Sequence, residues 1–288
     1  MSAAPDRYAV LGHPVQHSQS PFIHAEFARQ TGQALVYSRV ACAPEAFATT
    51  LREFAASVQR GFGQARGCNV TVPFKFDVPS LAQRLTARAR LAGAANVLCF
   101  DAEGWSADNT DGVGLVRDLE GNANFRIAGK QVLLIGAGGA GAGVLGPLLQ
   151  AGPASLVLAN RTLERAQALV ERHRPLAEVH GVALRASGLE AVGSGFDLVL
   201  NATASSLQGA AAPVADRVLH DGTLAVDLMY GAASQPFLQW ARARGASARD
   251  GLGMLVEQAA EAFLGWRGLR PDTAPVLAAL RARLATAA

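Results

Sequence analysis

Short apolar runs alternate along the chain with stretches in which apolar residues recur at helical spacing. In the first part of the chain this pattern predicts strands at 7–12, 34–42, 67–72, 96–100 and 105–109, and helices after Ser20, at 44–58 and at 79–91. Ser20 is expected to cap the first helix, because Pro21 suits the first helical position. Strands that alternate with helices indicate a parallel or mixed sheet with helices on both faces.

The alternation starts again after Asp111, where a helix is predicted at 112–119. Strands predicted at 132–135, 156–160, 182–185, 197–201 and 224–228 are separated by helical stretches, which is typical of a doubly wound parallel sheet. Pro147 lies inside the first of these helices and is expected to kink or end it. After Gly251 one amphipathic helix follows. It is too isolated to form a domain, so we expect it to pack on the first unit.

The predicted fold is α/β with two domains, since 288 residues exceed the usual size of a single hydrophobic core. One α/β domain is expected to comprise residues 1–110 plus 251–288, with the C-terminal helix returning to it. The other domain, residues 111–250, is expected to contain the doubly wound parallel sheet.

The central strand at 132–135 is apolar throughout and ends in the glycine turn Gly136-Ala137-Gly138-Gly139-Ala140-Gly141. The first, third and last of these residues have the G-x-G-x-x-G spacing of Rossmann-like dinucleotide sites. In such sites the strand turns tightly, a pyrophosphate approaches the backbone, and the N-terminus of the next helix favours anions. In a chain with 30 glycines, a tight turn that binds no ligand can have the same spacing. The residues at the end of the next strand distinguish a dinucleotide site from such a turn.

The end of the next predicted strand reads Asn160-Arg161-Thr162. A site for NAD usually places an acidic residue here to bind the ribose hydroxyl. Asparagine removes the charge that would repel a 2′-phosphate, while Arg161 and, one turn later, Arg165 can pair with it. Thr162 is expected to cap the helix, whose free N–H groups also favour phosphate. The pattern therefore favours NADP, and the alternative is a capped helix with solvated arginines.

The composition indicates which class of ligand the chain binds and in which cellular compartment it is expected. The net charge is +3, but the arginines are scattered and form no basic run, which favours an anionic small molecule over nucleic acid. No apolar run approaches the roughly 20 residues of a membrane span, and residues 1–7 contain no apolar signal core. Three cysteines, Cys42, Cys68 and Cys99, suit a reducing compartment, so we expect a cytoplasmic protein without a metal site.

Four further stretches stand out: His17-Ser18-Gln19-Ser20-Pro21, Asn69-Val70-Thr71-Val72-Pro73-Phe74-Lys75, Asp108-Asn109-Thr110-Asp111-Gly112 and Gly251-Leu252-Gly253-Met254-Leu255-Val256-Glu257-Gln258-Ala259-Ala260. Each resembles a signature of the shikimate dehydrogenase family. With the glycine turn, Asn160-Arg161-Thr162 and Asn201-Ala202-Thr203 in order between them, the resemblance covers nearly the whole chain. It implies an enzyme of aromatic amino-acid biosynthesis that reversibly reduces 3-dehydroshikimate to shikimate with NADPH, with substrate and catalytic groups on the first domain.

Lys75 and Asp111 are the predicted catalytic pair. Oxidation of a secondary alcohol requires a group that exchanges the hydroxyl proton beside the nicotinamide. Only two of the 26 basic residues are lysine, and the other, Lys130, is explained by a polar turn. Lys75 could accept the proton or act as a fixed cation, and the sequence does not choose between these roles. The alternative is a surface lysine near a helix start and a helix-capping aspartate.

The resemblance also implies ligand contacts. Substrate contacts are expected from Ser18, Ser20, Asn69, Thr71, Asn96, Tyr230 and Gln258, and cofactor contacts from Gly136, Ala137, Gly138, Gly139, Ala140, Asn160, Arg161, Thr162, Arg165, Asn201, Thr203 and Gly251. Ser18 and Ser20 lie two apart before a helix, so both hydroxyls can face one carboxylate. Simpler alternatives are a helix cap for Ser20, a turn former for Asn69 and a half-buried strand end for Tyr230. Val97 stands where the family commonly has threonine, which removes one hydroxyl.

Two other functions remain open at this stage. One is a quinate/shikimate dehydrogenase that prefers NAD, which would be expected to place an acidic residue within 160–162. The other is a regulatory protein that senses NADP without turnover, and the retained Lys75 and Asp111 argue against it. The assembly is expected to be a monomer or a homodimer.

Overall fold

A computed structural model of the chain describes residues 4–203 and 212–286. The chain divides into two compact units, one formed by Met1–Thr110 with Val256–Ala288 and the other by Asp111–Leu255. The second boundary lies inside a helix, Leu252–Arg267, rather than at Gly251. The two-domain α/β architecture expected from the sequence is confirmed.

The first unit is built on a mixed sheet of six strands. They are β1 Asp6–Gly12, β2 Leu35–Ala41, β3 Ala65–Val70, β4 Arg84–Leu85, β5 Val97–Asp101 and β6 Gly104–Asp108, in the spatial order β2-β1-β3-β5-β6-β4. β1 pairs in parallel with β2 and β3, whereas β5 is antiparallel to β3 and β6. Nearly every residue of β1 is buried, because it lies inside the sheet with helices over its faces.

The helices of this unit are α1 Ser20–Thr31, α2 Phe47–Ala56, α3 Ala87–Ala92, the later part of α8 Leu252–Arg267, and α9 Ala274–Ala285. Pro21 occupies the first turn of α1, and Gly32 ends it in the left-handed conformation at φ 65°. The prediction that Ser20 caps α1 is wrong. Gln19 holds the cap position without a side-chain hydrogen bond, and Ser20 is the first helical residue.

The helix predicted at 79–91 is also wrong over most of its length. A short 3-10 turn covers Val78–Ser80, and the two residues of β4 then pair in parallel with β6. The helix begins only at Ala87, where the Thr86 hydroxyl accepts a hydrogen bond from the Ala89 N–H at 3.3 Å. Pairing with the sheet edge therefore overrides the helical preference of this segment.

The second unit contains a sheet of six strands whose neighbours are all parallel. They are β7 Gln131–Ile135, β8 Ser155–Ala159, β9 Ala183–Ser187, β10 Leu198–Asn201, β11 Leu224–Asp227 and β12 Ser247–Arg249, in the order β12-β11-β10-β7-β8-β9. This is the strand order of a Rossmann sheet, which changes direction between β7 and β10. The doubly wound sheet is confirmed, although the sequence did not reveal β12.

The helices of the second unit are α4 Asp111–Arg117, α5 Gly139–Gln150, α6 Leu163–Val179, α7 Gln235–Arg242 and the first residues of α8. A π-helical turn, Asp118–Asn122, follows α4. α5 runs through Pro147 without ending there. Proline leaves the Gly143 carbonyl without its helical donor, and Gly112 of α4 packs against both: a side chain at Gly112 would lie 2.5 Å from the Pro147 ring and 2.6 Å from that carbonyl.

The C-terminal segment contains two helices, whereas one was expected. α8 is followed by α9, and Asp272, just before α9, accepts a hydrogen bond from the Ala274 N–H at 3.1 Å. Both helices belong to the first unit from Val256 onwards. Within residues 4–203 and 212–286, no helix combines the length and apolar character needed to cross a bilayer.

Candidate active site

The loop between β1 and α1 brings two predicted substrate residues together. The Ser18 hydroxyl donates to the Ser20 hydroxyl at 3.2 Å and accepts from the Ser20 N–H at 3.3 Å. Arg39 of β2 donates two guanidinium N–H groups to the Ser18 carbonyl oxygen, at 3.0 and 2.7 Å. The loop therefore presents two hydroxyls at the N-terminus of α1, an arrangement suited to an anion.

Asn69 and Thr71 lie at and just after the C-terminal end of β3. The buried Asn69 amide accepts a hydrogen bond from the Tyr37 hydroxyl at 2.6 Å and donates to the Asn96 carbonyl at 3.2 Å. Thr71 is half-buried, and its backbone N–H donates to the Leu11 carbonyl at 2.9 Å. The Asn69 side chain is thus held by the Tyr37 hydroxyl and the backbone carbonyl of Asn96, and Asn69 does not form a turn.

Asn96, Thr110 and Gln258 form a buried triad in the first unit. The side-chain oxygen of Asn96, Oδ1, accepts from the Thr110 N–H at 2.8 Å. The Asn96 amide nitrogen donates to the Thr110 hydroxyl at 3.0 Å and to Gln258 Oε1 at 3.1 Å. Val97, which replaces the expected threonine, begins β5 with its side chain buried. Asn96 and Gln258, which are distant in sequence, are thereby joined to each other and to Thr110. Thr110 was not among the predicted site residues.

Asp108, at the end of β6, anchors the segment that leads to Thr110. Arg88 Nη2 lies 2.5 Å from one Asp108 carboxylate oxygen, and the Thr86 hydroxyl donates to the other at 2.6 Å. Burial raises the pKa of Asp108, but the hydrogen bonds from Arg88 and Thr86 outweigh it and lower that pKa below the ordinary value. Arg88 also pairs with Glu261 of α8 at 3.2 Å, which ties this segment to the helix of Gln258.

Lys75 lies in the 3-10 turn Phe74–Phe76 of the first unit and is half-buried. Two contacts anchor this turn, one made by the Phe74 side chain and one by the Lys75 backbone. Phe74 is buried and stacks on Phe47 with ring centroids 4.2 Å apart, and the Lys75 carbonyl accepts from the Ala95 N–H at 2.8 Å. This backbone hydrogen bond holds Lys75 next to Ala95, the residue that precedes Asn96.

The glycine turn of the second unit has the geometry that its spacing predicts. Gly136 has φ 111°, a conformation that favours glycine, and a side chain at Gly141 would lie 1.9 Å from the Gly136 carbonyl oxygen. A side chain at Gly138 would meet no protein atom within 4 Å. Gly138 is also the cap residue of α5 and supplies no capping side chain, so Gly139 and Ala140 open a helix with uncapped N–H groups.

Asn160 follows β8 and ties this turn to the next loop. Its carbonyl oxygen accepts from the Ala137 N–H at 3.1 Å, and its amide donates to the Thr162 carbonyl at 2.8 Å. Thr162 occupies the cap position of α6, but its hydroxyl makes no capping hydrogen bond, contrary to prediction. Arg161 and Arg165 are exposed, and neither guanidinium has an ion-pair or hydrogen-bond partner in the described part of the chain.

Asn201 and Thr203 shape the loop after β10. The buried Asn201 carbonyl oxygen accepts from the Thr203 hydroxyl at 2.7 Å, and its amide donates to Asp227 at 3.1 Å. A side chain at Gly136 would lie 3.0 Å from the Thr203 methyl group, so this loop borders the glycine turn. Three predicted residues of this unit lie elsewhere in it. Asp111 begins α4, and Tyr230 lies after β11. Gly251 packs against Leu228, so that a Cβ atom at Gly251 would lie 2.3 Å from the Leu228 carbonyl oxygen.

The donor set of the second unit fits a dinucleotide that carries a 2′-phosphate. Open space at Gly138 beside the uncapped start of α5 suits a pyrophosphate. Beyond Asn160, two exposed guanidinium groups and the uncapped start of α6 suit a further phosphate. No group of three or more metal-ligating side chains occurs among the described residues, and the three cysteines are unbonded.

The sequence had not identified Tyr37, Arg39 and Thr110 as site residues, although each contacts a predicted one. Thr110 lay within a quoted motif, and its position beside Asp111 was the available signal. Tyr37 and Arg39 alternate along β2, where the sequence shows only an ordinary strand.

Comparisons with known proteins cover nearly the whole chain. The profile of the shikimate dehydrogenase substrate binding domain matches residues 10–98. The shikimate / quinate 5-dehydrogenase profile matches residues 120–228, and the shikimate 5'-dehydrogenase C-terminal domain profile matches residues 251–281.

Relatives and solved structures agree with these matches. The chain is 62% identical over 281 residues to the shikimate dehydrogenase (NADP(+)) of Methylibium petroleiphilum, which covers 98% of this chain and 96% of the relative. The structure of an Ael1 enzyme from Pseudomonas putida matches with a TM-score of 0.84 at 45% identity, over 96% of this chain and 98% of that one. Shikimate 5-dehydrogenase from Thermus thermophilus, solved with NADP(H) and shikimate, matches with a TM-score of 0.79 at 33% identity, over 96% and 99%. The chain belongs to the shikimate dehydrogenase family.

Proposed function

We propose that the chain catalyses the reversible, NADPH-dependent reduction of 3-dehydroshikimate to shikimate. The observation that carries this proposal is the set of uncharged hydrogen-bonding side chains in the first unit, formed by the Ser18–Ser20 pair, Asn69 and the Asn96–Thr110–Gln258 triad. Such a set suits a small ring that bears hydroxyl groups and one carboxylate.

Each part of the substrate has a proposed partner. The two serine hydroxyls at the start of α1 bind the carboxylate, because hydroxyl donors and a helix N-terminus both favour negative charge. Asn69 and Thr71, with Asn96 and Gln258, bind ring hydroxyls through groups that donate and accept. Tyr230 of the second unit is proposed as a further substrate contact.

The second unit is proposed to bind NADP, which when bound supplies the hydride acceptor or donor. Gly136, Ala137, Gly138, Gly139 and Ala140 surround the pyrophosphate, and Asn160, Arg161, Thr162 and Arg165 surround the 2′-phosphate. Asn201, Thr203 and Gly251 complete the proposed set. Asn160 acts chiefly on the loop geometry, since both ends of its amide are bonded to backbone groups.

Lys75 and Asp111 are proposed to serve the proton transfer that accompanies hydride transfer. A secondary alcohol must lose its hydroxyl proton as it is oxidised, and the reverse reaction must return it. Lys75 either exchanges that proton itself or stabilises the developing charge as a fixed cation.

An assay of the purified protein with shikimate or quinate, each against NADP or NAD, tests the proposal. Shikimate with NADP should give the highest kcat/KM of the four combinations. A preference for quinate or for NAD would indicate the alternative dehydrogenase. Absence of turnover in all four combinations would contradict an enzymatic function and favour a protein that only senses NADP.

The Lys75→Ala variant tests the catalytic assignment. Its kcat should fall by about 10²-fold or more, with shikimate affinity within about tenfold of the wild type. Lys130→Ala is the matched control, because Lys130, the second lysine, pairs with Asp197 at 3.3 Å and has no proposed role in catalysis. Unchanged turnover in Lys75→Ala would remove this residue from the mechanism.

We further propose that the protein works in the cytoplasm as a monomer or homodimer. The few, unbonded cysteines support a reducing compartment. Light scattering coupled to size-exclusion chromatography distinguishes one chain of 29.9 kDa from two.

A further inference from the structure

Tyr37 contacts Asn69, a residue of the proposed substrate site, although Tyr37 belongs to none of the predicted motifs. It lies in β2, and its hydroxyl donates to the Asn69 side-chain oxygen at 2.6 Å. Burial raises the pKa of Tyr37 well above its ordinary value, so the hydroxyl keeps its proton at neutral pH and can donate it.

The direction of this hydrogen bond follows from the two groups. A phenol has one proton to donate and the side-chain oxygen of Asn69 is an acceptor, so Tyr37 is the donor.

The hydrogen bond from Tyr37 fixes the orientation of the Asn69 amide. Its carbonyl oxygen faces the Tyr37 hydroxyl, and one amide N–H donates to the Asn96 carbonyl at 3.2 Å. A reversed amide would place its carbonyl oxygen against the Asn96 carbonyl oxygen, which is repulsive. The second amide N–H has no acceptor among the described residues and can donate to a ligand.

The Tyr37 ring is held independently of its hydroxyl. It stacks on His24 with centroids 4.3 Å apart and planes at 6°, and Trp266 lies 6.4 Å away on the same cluster. Replacing Tyr37 by phenylalanine therefore removes the hydrogen bonds and keeps the packing.

We propose that Tyr37 is a positioning residue, which orients the Asn69 amide so that one N–H is offered to a hydroxyl oxygen of the substrate ring. This inference rests on the proposed function. A substrate hydroxyl that accepts this N–H leaves the bond from Tyr37 to Asn69 intact, because Tyr37 donates to the oxygen of the amide and not to its nitrogen.

The Tyr37→Phe variant tests the proposal, with Tyr8→Phe as its matched control. Tyr8 is the direct register partner of Tyr37 across β1 and β2, its side chain is buried, and its ring lies 4.6 Å from Trp266. Tyr37→Phe should raise KM for shikimate about tenfold, with kcat within about threefold and KM for NADP within about twofold. Tyr8→Phe should leave all three constants near the wild-type values. An unchanged KM for shikimate in active Tyr37→Phe would overturn the proposal.

A measurement without substrate separates this inference from the proposed function. The side-chain amide signals of Asn69 in a ¹⁵N spectrum, assigned with Asn69→Asp, should shift in Tyr37→Phe and stay in place in Tyr8→Phe. In the wild type, the hydrogen-bonded Tyr37 hydroxyl proton should exchange slowly with water and show a contact to Asn69. Rapid exchange of that proton, or unshifted amide signals, would overturn the role of Tyr37. Lack of shikimate turnover in the wild type would overturn only the proposed function.

Discussion

His24 is a buried histidine packed among aromatic rings, and this predicts a specific loss of stability in acid. Its side chain is 1% exposed, and neither ring nitrogen has a partner within the described residues. The ring packs against Tyr37 and edge-on against Phe27, whose centroid is 5.9 Å away. Burial lowers the pKa of His24 to about 3, and the neighbouring Asn69 side chain opposes this only weakly.

The direction of the pH effect follows from proton binding in the two states. In the unfolded chain His24 binds a proton as the pH falls below its ordinary pKa of 6.5, whereas the folded chain stays neutral until about pH 3. The unfolded state therefore binds more protons between these values, and the free energy of unfolding decreases as the pH falls. Between pH 8 and pH 5, His24 alone should remove about 2 kcal/mol.

His24→Phe isolates this contribution, because phenylalanine keeps an aromatic ring against Tyr37 and cannot bind a proton. Urea unfolding followed by tryptophan fluorescence should show that the stability of the variant relative to the wild type increases by about 2 kcal/mol between pH 8 and pH 5. Phe27→Leu, a change at an equally buried neighbour, should cost the same free energy at both pH values. A difference between His24→Phe and wild type that does not change with pH would refute the reasoning.

Three further predictions concern the second unit. Gly141→Ala places a methyl group 1.9 Å from the Gly136 carbonyl oxygen, so NADP affinity measured by calorimetry should fall at least about tenfold; unchanged affinity would contradict this turn geometry. Arg161→Ala should raise the Kd for NADP about tenfold and that for NAD less than twofold, and equal effects would exclude a 2′-phosphate contact. Arg249→Met leaves the buried Asp118 carboxylate, now 2.9 Å from Arg249, without its cation and should cost about 3 kcal/mol in urea unfolding. Adding Asp118→Asn should recover part of this loss, and no recovery would argue against the ion pair.

The sequence predicted the second sheet well because its central strands are buried on both faces. Strands such as β7 and β10 need apolar residues at most positions, and that requirement appears as continuous apolar runs. β12 is only Ser247–Arg249, with an exposed first residue, so it leaves no apolar run to detect. Its place in the sheet is set by pairing with β11, which a local pattern does not contain.

The segment 79–91 shows the same limit in the first unit. Its alanines, leucines and arginines favour a helix locally, yet Arg84 pairs with Ser106 and its guanidinium lies 2.5 Å from Asp101. These contacts join residues about twenty positions apart and outweigh the local preference. Only α3 remains helical, after Thr86 supplies a cap.

The proposed substrate residues differ in how much of their hydrogen bonding the protein already uses, and motifs do not reveal this. Asn96 was predicted as a ligand contact, but its amide protons go to Thr110 and Gln258 and its carbonyl oxygen accepts from the Thr110 N–H. A substrate hydroxyl that accepts from the Asn96 amide nitrogen would have to displace one of these partners. Asn69, in contrast, is oriented by Tyr37 and Asn96 and keeps one N–H for a ligand. The geometry therefore favours Asn69 as the hydrogen-bond donor to a ring hydroxyl, while the Asn96 amide also positions the Gln258 side chain.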